Sequence, residues 1–330
     1  MESPQPSGSD AEPLPLRIVF MGTPALAAHI LERLIVEPAP IFTVVGVVTR
    51  PDQPRKRGLK LEPSEVGAVA ERYGIPVLKP SKIRTATFLA ELLAFAPDVL
   101  AVAAYGRILP NPVLEAARII PLNVHASLLP RYRGAAPIEG AILAGDTVSG
   151  VTIMRVTEQM DAGPILLQRP ILLDPAETQG TLKAKLADLG ASALIEALRL
   201  LPKNQLMAIP QDESLATYTA PVKKEDALID WDADAIKIER MTRAYDPWPV
   251  ARTIWMGDDL MIWRARAVAD SAINADAGNG TLLSLTADPI VKCGAGALAL
   301  LEVQAPGRRR MRAADFMRGR RAAAGARLGV

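Results

Sequence analysis

The sequence predicts a two-domain protein of the α/β class: a mostly parallel sheet layered with helices, followed by a small β-barrel. Three observations predict it. Short apolar runs rich in Val, Ile and Leu alternate with helical patterns over the first two-thirds of the chain, and such runs suit strands buried on both faces of a parallel sheet. After Pro202 the pattern changes to short strand-like runs separated by Gly and Asp, which suits a barrel. Finally, 330 residues are more than one hydrophobic core ordinarily organises.

The elements follow in order. Residues 16–21 (LRIVFM) read as a strand, Gly22-Thr23-Pro24 as a turn, and 25–35 as a helix. A second buried strand spans 43–49 (TVVGVVT), a helix 63–73, a third strand 75–78 and a helix 84–95. Residues 98–103 (DVLAVA) and 119–125 give the fourth and fifth strands, and 135–144 a helix. Residues 151–156 and 165–172 are further strands, and 178–201 is a long amphipathic helix opened by Thr178. Beyond a Pro-punctuated connector, one helix (233–244) precedes five short strands between 251 and 304. The domain reading is therefore a polar, Pro/Ser-rich disordered leader over 1–15, a Rossmann-like domain over 16–203, a linker over 204–220 and an OB-like barrel over 221–330.

Composition excludes several classes. The single cysteine, Cys293, forbids an internal disulfide framework and any cysteine-based metal site; it fits a reducing compartment, so a cytoplasmic location is expected. No apolar run reaches the ~18 residues that crossing a membrane requires, and the leader lacks the basic-then-apolar order of a secretory signal. No His, Cys or carboxylate spacing suggests a metal. The overall charge of +2 hides an uneven distribution: residues 50–60 carry net +4 and 307–330 net +7, leaving −9 on the rest. Two basic segments on an acidic body point to a polyanionic partner, although a solvated basic loop has the same appearance.

The chemistry concentrates at one strand end. The chain has two histidines, and His125 follows Asn123 by two positions, so in an extended segment both side chains project from one face. An amide donor beside an imidazole suits acyl-type transfer, in which donors meet a developing oxyanion and histidine moves a proton. Asn-x-His alone equally suits a polar pair capping a loop. Asp161, isolated before Ala-Gly-Pro, suits either a turn or a partner for the imidazole. Gly22-Thr23-Pro24 stands where a dinucleotide turn would, but G-x-G-x-x-G is missing, which disfavours a nicotinamide cofactor. Ala103, Ala104, Tyr105 and Gly106, at the end of the fourth strand, lie where open α/β sheets hold ligands. His29, within the first helix, reads as structural.

Seven segments in order carry a resemblance: MGTP (21–24), PDQPRKRG (51–58), AAYGRILP (103–110), NVHASLLPRYRGAAPI (123–138), GVTIMRVTEQMDAGPIL (150–166), DPWP (246–249) and MRAADFMRGRR (311–321). Together they resemble the methionyl-tRNA formyltransferase family across residues 16–321. The resemblance implies transfer of a formyl group from 10-formyltetrahydrofolate to the amino group of methionine on initiator tRNA, without a metal. It implies catalysis by Asn123, His125 and Asp161. It adds Ser127, Leu128, Leu129 and Pro130 to a folate site beside Ala103–Gly106. It sets the loop of Arg55, Lys56, Arg57 and Lys60 against the tRNA acceptor end. A monomer is expected. Formyltransferases acting on glycinamide ribonucleotide or nucleotide sugars share the catalytic residues; the first usually lack a second domain, and the basic segments argue against the second. A non-catalytic tRNA-binding protein would not require all of Asn123, His125 and Asp161.

Overall fold

The computed structural model describes residues 15–37, 41–55, 60–268, 277–285 and 287–329. The first part of the chain runs β1 (Leu16–Gly22), α1 (Ala25–Val36), β2 (Phe42–Val48), β3 (Gln53–Arg55), β4 (Lys60–Glu62), α2 (Glu65–Arg72), β5 (Val77–Leu78), α3 (Ala86–Ala94), β6 (Val99–Ala103) and α4 (Asn111–Leu114). It continues with β7 (Ile120–His125), β8 (Arg133–Gly134), α5 (Pro137–Ala144), β9 (Val148–Arg155), β10 (Ile165–Leu172) and α6 (Gln179–Leu200). Then come β11 (Tyr218–Thr219), α7 (Ala235–Ala244), β12 (Arg252–Trp255), β13 (Asp258–Val268), β14 (Leu282–Ser284), β15 (Ile290–Lys292), β16 (Ala297–Gln304), β17 (Met311–Arg312) and α8 (Ala313–Gly319).

The main sheet has the order β10-β9-β7-β6-β1-β2-β5. Strands β7, β6, β1, β2 and β5 are parallel; β9 runs antiparallel to both β7 and β10. The all-apolar strands explain why both faces are covered. Along β1, Ile18 and Phe20 enter the core beneath α1 and α6, whereas Val19 and Met21 enter the one beneath α3 and α4. Strand β6 does the same, with Ala101 on one face and Leu100 on the other, as the two-residue period of a strand requires. Helix α6 starts at a capping box, Thr178 accepting from Thr181 N while the Thr181 hydroxyl accepts from Thr178 N.

The second sheet is antiparallel, ordered β12-β13-β16-β15-β14 with β17 on β16, and among the described residues no ladder joins β12 to β14. Its own core includes Trp231, Leu260, Ile262, Leu298, Phe316 and Leu328. Strands β12 and β13 are joined by Met256 and Gly257, both at positive φ (50° and 83°), the two-residue turn whose twist matches a hairpin. The two parts meet through α5 against α7, where Arg240 donates to Ala144 O (2.9 Å).

Three features add to the elements read from the sequence. Gln53–Arg55 and Lys60–Glu62 pair antiparallel as β3 and β4, residues 313–319 form α8, and Arg133–Gly134 and Tyr218–Thr219 pair as a short parallel ladder. Two- and three-residue strands carry no period long enough to read. Most of the expected leader, residues 1–14, lies outside the described residues. No described helix is long and apolar enough to cross a membrane.

Candidate active site

Strands β1, β6 and β7 end side by side at Gly22, Ala103 and His125. Strand order reverses between β1 and β6, because β2 lies on the other side of β1. Ligands of open α/β sheets sit outside the strand ends at such a point. A cavity of about 560 Å³ opens there, and its wall includes Ala104, Tyr105, Gly106, Asn123, His125 and Asp161. Apolar side chains such as Val102, Leu109 and Val156 line much of the remainder.

Asn123 and His125 project together from β7 as the two-residue spacing requires. The half-buried Asn123 amide makes no hydrogen bond among the described residues. His125 is buried, and its Nε2 lies 2.9 Å from the carbonyl oxygen of Tyr132. A carbonyl can only accept, so Nε2 carries a hydrogen, and in the tautomer this selects Nδ1 is the lone pair. Nδ1 faces Asp161 Oδ1 at 3.6 Å. That is too long for a direct hydrogen bond, though close enough for an ion pair once the ring carries a second proton. The other carboxylate oxygen, Oδ2, accepts from Gly134 N at 2.9 Å.

Backbone strain gathers around this pair. Ala104, Tyr132 and Asp161 lie at φ of 45°, 60° and 52°, a region that costs a non-glycine residue roughly 1–2 kcal/mol. Such residues persist only where neighbours fix them, and they cluster at functional sites. Tyr132 is fixed through its hydroxyl, which donates to Asp146 Oδ2 (2.7 Å) and accepts from Arg131, itself paired with Asp146 (3.0 Å). Burial first, and then the bond to Asp146, push the Tyr132 phenol up to about 12, so it remains a donor at neutral pH. Asp161 is held by Gln211, whose Nε2 donates to the carbonyls of Asp161 (2.8 Å) and Gly163 (2.7 Å). Gln211 is held in turn by Arg133, only 1% exposed and paired also with Glu213 (2.8 Å). The Glu213 bond is the main cause that raises the Arg133 pKa further.

The other residues expected at the site divide. Ala104, Tyr105 and Gly106 line the cavity, whereas Ala103 is buried within β6 and is not part of the wall. Ser127, Leu128, Leu129 and Pro130 also lie outside the lining. They form the loop behind His125, where the Ser127 hydroxyl donates to Arg131 O (2.7 Å) and Thr152 and Gln168 bind the loop's backbone. In the basic loop, Arg55 and Lys60 are register partners in the backbone ladder of β3 and β4, and Lys56 and Arg57 lie outside the described residues. His29 pairs with Asp188 (2.6 Å) on α1 and α6, away from the cavity. Sequence reasoning missed Gln179 and Lys183, which reach the wall from the first turns of α6; their only signal, one helix face at i and i+4, is that of a solvated face. It also missed Gln211 and Thr217. Among the described residues no group of three or more His, Cys, Asp or Glu can hold a metal ion.

A mixed sheet with a catalytic-type amide, imidazole and carboxylate at its switch point defines an acyl-transfer class of α/β enzyme. The formyl transferase profile matches residues 16–198, and the profile of the formyl transferase C-terminal domain matches 221–321. The methionyl-tRNA formyltransferase of Roseiflexus sp. (strain RS-1) is 47% identical over 96% of this chain and 96% of its own. Among solved structures, the N-formyltransferase of Helicobacter canadensis in complex with folinic acid and dTDP-3-aminofucose aligns with a TM-score of 0.62, at 15% identity over 86% of this chain and 98% of that one. HypX from Aquifex aeolicus in complex with tetrahydrofolic acid aligns at 0.58, with 18% identity over 92% of this chain, which spans about half the length of HypX (47%). At these identities the structural matches speak for the fold. The chain belongs to the formyl transferase family and, within it, to the methionyl-tRNA formyltransferases.

Proposed function

We propose that the chain transfers the formyl group of 10-formyltetrahydrofolate to the amino group of methionine carried on initiator tRNA. The observation that carries the reading is an unpartnered amide, a tautomer-fixed imidazole and a carboxylate on one wall of a cavity at the sheet's switch point. In this reading the methionyl nitrogen attacks the formyl carbon and forms the new C–N bond. The carbonyl oxygen becomes an oxyanion, to which the Asn123 amide donates. The attacking amine must lose a proton, and the lone pair on His125 Nδ1 receives it. The imidazolium then carries a new N–H opposite Asp161, and a contact between two acceptors becomes an ion pair. Collapse breaks the bond between the formyl carbon and the folate nitrogen, which takes up a proton.

A cavity of about 560 Å³ falls in the range of about 300–1,000 Å³ of small-molecule sites. We assign the folate donor to it, with Ala104, Tyr105 and Gly106 along one side. Ser127, Leu128, Leu129 and Pro130, with Ala103, support that wall from behind. Arg55, Lys56, Arg57 and Lys60 are assigned to the phosphates of the tRNA acceptor end. The catalytic unit is residues 16–203, the linker 204–220 and the tRNA-binding unit 221–330. The protein is taken to work as a cytoplasmic monomer.

The test is incubation of the purified protein with charged initiator tRNA and 10-formyltetrahydrofolate. Formyl-methionyl-tRNA is the expected product, and its absence overturns the reading. In the same preparation, tRNA affinity should fall by about 100-fold between ~50 and ~200 mM salt if about four phosphates are neutralised. A flat salt response removes the basic loop from the interface.

A further inference from the structure

We propose that residues 211–219, between the two sheets, belong to the catalytic apparatus, with Gln211 and Thr217 as positioning residues for Asp161 and His125. The proposal rests on the reading of that pair as the proton-handling groups of formyl transfer.

Gln211 is locked from both ends. Its Oε1 accepts from Arg133 Nε (3.0 Å) and Nη2 (2.8 Å), and its Nε2 donates to the carbonyls of Asp161 (2.8 Å) and Gly163 (2.7 Å). The amide cannot turn over, because reversal would set its NH₂ against guanidinium N–H groups and its oxygen against two carbonyl oxygens. The bonded carbonyls are that of left-handed Asp161 (φ 52°) and one two residues on. The carboxylate hangs on the neighbour of Arg133, since Oδ2 accepts from Gly134 N. On the other side, Tyr132 O fixes His125, and Tyr132 is also left-handed (φ 60°). Tyr132 N donates to Thr217 Oγ1 at 2.8 Å, and Arg133 N donates to Thr217 O at 2.8 Å. The strand pair β8–β11 completes the attachment, with Ala135 N donating to Thr219 O at 3.1 Å. One segment therefore holds both strained residues on which the 3.6 Å gap between His125 and Asp161 depends. An error of ~1 Å in that gap costs turnover on the order of 100-fold.

Two variants test this. Gln211→Glu keeps an acceptor for Arg133 but loses both donors to the Asp161 turn. Thr217→Val removes the acceptor for Tyr132 N at an exposed position, so the core stays intact and this variant decides even where the first does not fold. Each is expected to lower kcat at least tenfold with KM for tRNA and for folate within about twofold, as a positioning loss requires. Nuclear magnetic resonance adds a readout that a purely structural role would not move: the ring signals of His125 shift in both variants while those of His29, the other histidine in the chain, stay in place. Wild-type kcat and unmoved His125 signals in Thr217→Val, with wild-type kcat in any folded Gln211→Glu, overturn the proposal. Absence of formyl transfer by the unmodified protein is a different result and overturns the reaction assigned above.

Discussion

The two sheets treat polar side chains in opposite ways. At the carboxyl end of the parallel sheet, His125, Ser127, Arg133 and Thr152 are buried, and each is tied to a named partner. In the antiparallel sheet the buried polar side chain among the described residues is Thr253, and the cations stay in water: Arg264 and Arg266 are each 63% exposed. The difference fits the tasks proposed for the two units. Moving a proton needs groups fixed in direction, and burial with satisfied hydrogen bonds supplies that. Holding a polyanion needs only positive charge near it, which works from the surface and weakens with salt.

The largest expected effect tests that contrast directly. His125→Ala should lower kcat by about 10²–10⁴ through loss of proton transfer, and Asn123→Ala by about 10²–10³ through loss of one oxyanion donor. Replacing the exposed Arg308 and Arg309 together should leave kcat at saturating tRNA unchanged. It should raise KM for tRNA several-fold and flatten the salt slope by about one for each phosphate no longer neutralised. Steady-state kinetics separate the two outcomes. A loss of kcat in the arginine variant, or a KM effect alone in His125→Ala, would break the division of labour.

A smaller effect concerns stability. Gly134 sits at φ 108°, and a Cβ there would overlap the carbonyl oxygen of Thr219 in the adjoining β11. Gly257, in the hairpin turn of the second sheet, has φ 83° with nothing within 4 Å of its added Cβ. Gly257→Ala carries backbone strain only, about 1 kcal/mol. Gly134→Ala adds a clash that separates the linker from the site, for a total of about 2–4 kcal/mol. Denaturant unfolding measures both. Equal losses would mean that the linker does not press on β8.

The same division decided what was legible in the sequence. The parallel strands were, because runs such as Val99–Ala103 are buried at every position. Asn123 and His125 were legible as a pair because the strand period puts them on one face. Asp161 was legible only through the resemblance, since a lone acid before Ala-Gly-Pro also describes a turn. Gln211 and Thr217 were not legible: polar residues in a Pro-punctuated connector look solvated, and a two-residue parallel ladder leaves no period. The loop at Ser127–Pro130 shows the converse limit. Its residue types suit a ligand pocket, but sequence does not say which way a loop faces, and these residues are not among those lining the cavity described above.

The smallest effect isolates a single hydrogen bond in the second core. Trp231 and Trp255 are both buried there. Trp231 Nε1 donates to Thr253 Oγ1 at 2.9 Å, whereas Trp255 Nε1 is buried with no partner. Replacing either by Phe removes a similar volume, so the packing losses largely cancel in the comparison. Trp231→Phe also strips the buried Thr253 hydroxyl of its donor, and a group left unsatisfied costs about 1–3 kcal/mol. Trp255→Phe removes a donor that was already unsatisfied and recovers part of its packing loss. Trp231→Phe is therefore expected to be the more destabilising by about 1 kcal/mol in denaturant unfolding. Equal values would show that the antiparallel sheet is held by packing alone, and would widen its distance from the hydrogen-bonded site of the parallel one.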